Sequence, residues 1–238
     1  MSSIATTRAV PRNPVNPVHV LHDKLATARA ADEAAVVFVI AAERSEKQSL
    51  VSSIRSQGWQ AQMATSIHEL LRQPSTVVPS CLIFHVSDDC NLLDAKRVTA
   101  ERPEIPIILI TSFGDVRMAV EAMKAGAIDF FLKPFSREAL LNAIRESLER
   151  SRIALDHEIE MRGLRNCYAS LSRRERQVMT LVVAGFLNKQ VGGELGISEI
   201  TVKAHRRRVM QKMCANSLPQ LVRMAAELAP HRNAIHLA

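Results

Sequence analysis

Residues Ser172 to Cys214 read SRRERQVMTLVVAGFLNKQVGGELGISEITVKAHRRRVMQKMC, and the punctuation of this stretch decides the fold of the C-terminal part of the chain. Ser172 stands three residues ahead of Glu175, before apolar Val178, Leu181 and Val182, which is a capping box opening an amphipathic helix. Gly185 stops that helix, Asn188 offers a second N-cap, Leu195-Gly196 a second stop and Ser198 a third N-cap. Two short helices separated by a turn of about four residues result, the pattern of a helix-turn-helix. On the last of them, from Glu199 to about Cys214, Val202, Val209 and Met213 fall to one side and Lys203, Arg206 and Arg207 to the other. An apolar back and a cationic front suit a helix that lies in a DNA groove.

The charge distribution agrees. Residues 161–238 hold 13 Lys and Arg against 4 Asp and Glu, a net of +9, while the rest of the chain holds 18 against 20 and is slightly acidic. Basicity confined to the part that carries the motif is an electrostatic footprint for a polyanion.

The 238 residues, 47% of them hydrophobic, suffice for two modest domains with their own cores. No apolar run reaches the roughly 18 residues of a membrane span, and the N-terminus lacks an export signal, so a cytoplasmic protein with no membrane partner is expected. Cys81, Cys90, Cys167 and Cys214 show neither C-x-x-C spacing nor a nearby His and read as reduced packing thiols. The chain has no G-x-G-x-x-G, P-loop or nucleophile elbow, which leaves no support for an enzyme and no expectation of a cofactor or metal.

Residues 1–34 carry Pro11, Pro14 and Pro17 without a sustained period and read as a flexible arm. From Val36 on, short apolar runs alternate with helical patterns. The runs are Val36–Ile40, Trp59–Met63, Cys81–Val86, Ile105–Thr111 and Phe130–Leu132, and the helical stretches lie near 44–57, 66–73, 91–102, 115–125 and 136–150. This predicts an α/β domain, a doubly wound five-stranded parallel sheet of flavodoxin-like type, over 35–150. Residues 136–167 read as one long or broken helix with Leu141, Ile144, Leu148 and Leu155 near heptad spacing and Ser151 interrupting the seam. Either a dimerising coiled coil or a first half packed on the sheet with a charged helical linker over 151–165 fits that pattern. A small all-α domain over 166–231 and a tail over 232–238 complete the expected organisation.

Both halves resemble the FixJ/NarL branch of the bacterial two-component response regulators. The C-terminal half is similar to a LuxR-type helix-turn-helix domain through Leu171-Ser172-Arg173-Arg174-Glu175, Asn188-Lys189-Gln190-Val191, Leu195-Gly196-Ile197-Ser198, Thr201-Val202-Lys203-Ala204-His205 and Val209-Met210-Gln211-Lys212-Met213. Ser217 to Ala225 resembles the fourth helix of that type, through which such domains commonly pair. The resemblance implies that Lys203, Ala204 and Arg207 face base edges, and that Asn188, Lys189, Thr201, His205, Arg206 and Arg208 contact phosphate or pack. Its implied partners are double-stranded DNA with two promoter half-sites, a second copy of the chain, and RNA polymerase or an unknown regulatory protein or ligand. Gly192 and Gly193 depart from the family, which more often has Ala there; each Gly costs about 1 kcal/mol of helix stability, and close helix approach would explain Gly192 alone.

The N-terminal half is similar to a receiver domain. Thr111 matches the switch hydroxyl, Phe130 the aromatic switch and Lys133-Pro134 the pair after the fifth strand, with Asp115-Val116 and Ala122 to Ala127 fitting the fourth helix. A phosphorylatable receiver also needs an acid pair and an acceptor aspartate, and here Ala41 and Ala42 fall at the pair, Glu43 is the carboxylate left beside it, and His85 takes the acceptor position. This pocket reads as vestigial and the domain as a pseudo-receiver. His85 is open to several roles, from a phosphohistidine, pH sensor or soft-metal ligand to a histidine bonded to Thr111, Lys133 or water, with Lys133 free to pair with Glu43. The alternative is a phosphorelay-controlled regulator using Glu43 and a shifted Asp88 or Asp89.

Overall fold

β1 (Val36–Ile40) is Val-Val-Phe-Val-Ile and is buried along its whole length. Successive strand residues point to opposite faces, so a run apolar at every position needs cover on both. Phe38 and Ile40 enter one cluster with Leu82, Ile107 and Leu109. Val37 and Val39 enter another with Cys81, Ile83, Ile108 and Ile110. The computed structural model describes residues 35–232 apart from 42–43, 76, 87–92, 113 and 115. The expected arm over 1–34, most of the expected tail, and Ala42, Glu43, Asp88, Asp89, Cys90 and Asp115 lie outside the described residues.

The chain divides into two units after Ile159. In the first, β1 is joined by β2 (Gln60–Met63), β3 (Ser80–Val86), β4 (Ile107–Thr111) and β5 (Ala127–Leu132) in the parallel order β2-β1-β3-β4-β5. Helices α1 (Arg44–Arg55), α2 (Ile67–Arg72), α3 (Leu93–Glu101), α4 (Val116–Lys124) and the start of α5 (Arg137–Ala169) complete it. Ile67 and Leu70 of α2, Ala95 and Val98 of α3 and Ala122 of α4 cover one face, and Leu50 and Ile54 of α1 with Leu140, Ile144 and Leu148 of α5 cover the other. This is the doubly wound sheet that the alternating runs predict, with ligand-binding positions at the carboxyl ends of the strands. β5 starts at Ala127 rather than Phe130 because Ala127 pairs Ile107 across a register shift. Ala127 and Asp129 are poor strand formers, so composition hides that extension.

α5 runs unbroken for 33 residues. Ser151, which sequence reading takes as an interruption of its apolar seam, is fully buried: its hydroxyl donates to the Glu104 carbonyl at 2.7 Å and accepts the Ser80 N–H at 3.0 Å. A bonded serine satisfies the open base of the sheet where an apolar residue would leave the Ser80 N–H orphaned. Farther along the same helix, Met161 and Leu164 join a different core with Leu171, Met179, Val209, Met213 and Leu221.

That second unit contains α6 (Arg173–Val183), α7 (Asn188–Leu195), α8 (Glu199–Lys212) and α9 (Leu218–Arg232). Val178 and Val182 of α6, Val191 of α7 and Val202 of α8 form its second cluster, locking the helix-turn-helix together. Among the described residues no helix is long and apolar enough to cross a membrane.

Candidate nucleic-acid interface and the sheet-end pocket

α8 is held at both ends by the sequence around it. Ser198 caps its start, with Oγ accepting the Thr201 N–H at 3.2 Å. Gly196 supplies the turn before it at φ 65, a left-handed conformation that favours glycine. At the far end the Lys212 ammonium donates to Glu175 Oε2 at 2.7 Å and to the Ser170 carbonyl at 3.1 Å. Glu175 also closes the expected capping box of α6, accepting the Ser172 N–H at 2.8 Å. The Lys212 ammonium, and after it the Ser172 backbone N–H, hold the Glu175 carboxyl down to about 2. Sequence reading finds the box but not Lys212, which is a partner 37 residues away.

With its ends fixed, α8 buries Val202 and Val209, and its C-cap residue Met213 is buried with them. Thr201, Lys203, Ala204, Arg207 and Arg208 are exposed. Lys203 pairs with Glu199 at 3.1 Å one turn away, a solvated contact that a phosphate or base can displace. Two expectations need correction. Arg206 does not share the outward face; it is half-buried and donates to Asn188 Oδ1 at 3.2 Å. Asn188 accordingly does not cap α7, whose N-cap position is Leu187, and Gln190 reaches back to accept the Leu187 N–H at 2.8 Å. A short polar residue at a helix start fits either role, and the arginine that claims Asn188 comes from the next helix. Lys189 is exposed beside it and His205 is half-buried.

The two consecutive glycines of α7 differ. A Cβ on Gly192 would meet the Ile197 carbonyl oxygen at 2.8 Å, so the turn passes too close for alanine; a Cβ on Gly193 would meet nothing within 4 Å.

At the carboxyl end of the sheet, Ile40 pairs Phe84, so Ala41 and His85 follow side by side, with His85 opposite Ile110. Ala41 is buried in the apolar cluster under α1 and α5. Lys133 Nζ lies 3.1 Å from His85 Nε2. An ammonium has only donors, so as a hydrogen bond this contact makes Nε2 the acceptor. Thr111 is buried at the end of β4 and its carbonyl accepts the Lys133 N–H at 2.9 Å, which places Lys133 at this pocket. Phe130 is half-buried against the cluster that contains Leu109, with Met118 on the same side.

A receiver-type pocket implies a hard divalent cation, and the described residues do not fit one. Ala41 offers a methyl group, His85 an imidazole occupied by a cation, and no group of three potential ligands occurs among the described residues. Cys81, Cys167 and Cys214 are free thiols; burial pushes those of Cys81 and Cys167 up, away from reactive thiolate.

Comparison with known proteins covers both units. The family of bacterial regulatory proteins of the luxR type matches residues 169–225, and the response regulator receiver domain matches residues 37–145. Response regulator protein TmoT of Ectopseudomonas mendocina is 41% identical over 199 residues, spanning 83% of this chain and 90% of its own length. Nodulation protein W of Bradyrhizobium diazoefficiens is 41% identical over 201 residues, spanning 84% of this chain and 88% of its own. Among solved structures, response regulator StyR aligns with a TM-score of 0.71 at 35% identity, covering 81% of this chain and 98% of StyR.

Proposed function

We propose that this chain, which belongs to the two-component response regulators that join a receiver domain to a LuxR-family DNA-binding domain, binds two promoter half-sites as a homodimer and acts without phosphorylation of an aspartate. A LuxR-family domain behind a receiver domain, and the likeness to transcriptional regulatory protein FixJ, support regulation of transcription through DNA rather than catalysis.

The observation that carries phosphorylation independence is the contact of His85 with Lys133 at the place where a receiver holds its phosphoryl acceptor. A receiver lysine waits for the phosphoryl group; here the 3.1 Å contact to Nε2 takes its place. Ala41, the described residue that follows β1, contributes a methyl group and no oxygen to the metal-assisted neutralisation that phosphoryl transfer requires. The bias toward the DNA-binding state then comes from a constitutive preference, or from a regulatory protein or ligand that binds that state better. Exposed Val116, Val120 and Met123 on α4 and Leu132 on β5 support pairing of two copies, as does exposed Val222 on α9. Contacts with RNA polymerase belong to the same proposal.

The test is direct. After incubation with acetyl phosphate and Mg²⁺, the full chain keeps its intact mass and its affinity for duplexes selected from a random pool. Addition of one phosphoryl group, at Asp88, Asp89 or elsewhere, would overturn the proposal.

A further inference from the structure

Ile200 is 79% exposed in the first turn of α8. A lone apolar residue on a surface needs no explanation in itself. Its position does. At about 100° per residue, Ile200 falls about 20° from Arg207 and about 40° from Ala204, and about 160° and 180° from buried Val202 and Val209. It therefore occupies the middle of the outward face, between the cations Lys203 and Arg207 on one side and Ala204 on the other. The rest of that face is charged, polar or small, so a large β-branched side chain there stands mostly in solvent until α8 meets another molecule. The N-terminal residues of a recognition helix approach base edges most closely, and Ile200 lies two residues past the Ser198 cap.

In the major groove the one apolar group on a base edge is the C5-methyl of thymine, and side chains without hydrogen-bonding groups read it by contact. We propose that Ile200 is a specificity-determining residue that packs on a thymine methyl in each half-site, alongside the hydrogen-bonding readers Lys203 and Arg207. This rests on α8 being the element that enters the groove. The side chain gains by leaving water only where a methyl receives it, so it discriminates thymine from the other bases without donating or accepting a bond.

The experiment uses the full chain and duplexes that it selects from a random pool. Each recurring thymine is replaced in turn by 2′-deoxyuridine, which removes the methyl and keeps the pairing, and binding is measured for the wild type, Ile200→Ala and Arg207→Ala. At one thymine per half-site the wild type loses about fourfold in affinity per half-site, the value of one buried methyl group, and Ile200→Ala is indifferent to the same replacement. A thymine that stays sensitive in Ile200→Ala is assigned to Ala204. If every sensitive thymine stays so, or if none is sensitive in the wild type, the assignment of Ile200 fails. Arg207→Ala separates the two layers: equal affinity of that variant and the wild type on selected duplexes would remove α8 from the groove and with it the premise. Unchanged melting of Ile200→Ala, expected for so exposed a residue, shows that a changed response to the methyl is not a folding effect.

Discussion

The carboxylate of Glu175 joins two helices: it closes the N-terminus of α6 through Ser172 and accepts the ammonium at the end of α8 at 2.7 Å. Held down to about 2, against 4.5 for an ordinary glutamate, it stabilises the folded unit while it stays charged. A depressed carboxyl contributes fully above its unfolded value and loses that contribution as the pH falls through its folded one. Wild type should therefore exceed Glu175→Gln in stability at neutral pH by roughly 1–2 kcal/mol, a figure discounted because Lys212 is 38% exposed and solvent screens the pair. The gap should close between about pH 4.5 and pH 2, as read by urea unfolding followed at Tyr168, the single tyrosine of the chain. A gap constant with pH would deny the charge a role. The glycines of α7 separate in the same way at this scale. Gly193→Ala should raise stability by about 1 kcal/mol, because the added methyl enters open space and the helix gains alanine's propensity. Gly192→Ala should lower it, since the Cβ would meet the Ile197 carbonyl at 2.8 Å and that carbonyl is fixed by the turn. Thermal melting of the two variants decides, and a gain for both would mean that the turn can shift. The sequence alone separates them only as far as suspecting Gly192; which carbonyl stands in its way is set by the turn.

Among the elements, α8 carries the prediction that distinguishes reading from anchoring. Arg207 lies on the outward face about 20° from Ile200, and Arg208 lies about 100° around the helix from Arg207. Arg207→Ala should cost about 1–3 kcal/mol on a selected duplex and relax its sequence preference, whereas Arg208→Ala should weaken selected and random duplexes alike. Equal losses on both kinds of DNA for Arg207→Ala would contradict base reading. The boundaries of this helix are legible in the sequence because its signals are local: Ser198 caps α8 through the N–H of Thr201, three residues on, and Gly185 and Gly196 end the helices that precede them. What is not legible is every feature made by a distant partner. Asn188 reads as a cap until Arg206, 18 residues on, takes its side chain. Arg206 reads as outward by spacing for the same reason. The pairing of His85 with Lys133 spans 48 residues and appears in the sequence only as one of several possible bonds for the imidazole. The strands show the same division: β1 and β4 are evident from unbroken apolar runs, while the start of β5 depends on its neighbour's register.

For the whole molecule, the question is where one folding unit ends and the other begins inside an unbroken helix. Charge and the polar Ser151 suggest a linker over 151–165, yet a helix can remain continuous while its buried face changes partners. Leu140, Ile144 and Leu148 serve the sheet, and Met161 and Leu164 serve the core of α6, α8 and α9. Heptad spacing cannot reveal such a change, because the pattern of apolar residues records that a face is buried and not what buries it. The consequence concerns fragments. Each of Met161 and Leu164 is 8% exposed, and burying a side chain of that size contributes about 1.5–3 kcal/mol. A piece spanning 160–238 keeps both, whereas one beginning at 166 loses both from a domain whose total stability is of the order of 5–15 kcal/mol. The longer piece should unfold cooperatively and bind selected duplexes as a folded domain, while the shorter should melt at least roughly 12 °C lower, taking about 3 kcal/mol lost and about 4 °C per kcal/mol for a domain this small. Circular dichroism melts of the two pieces make the comparison. Coincident transitions would place the end of α5 outside the DNA-binding unit and return residues 151–165 to the role of a linker.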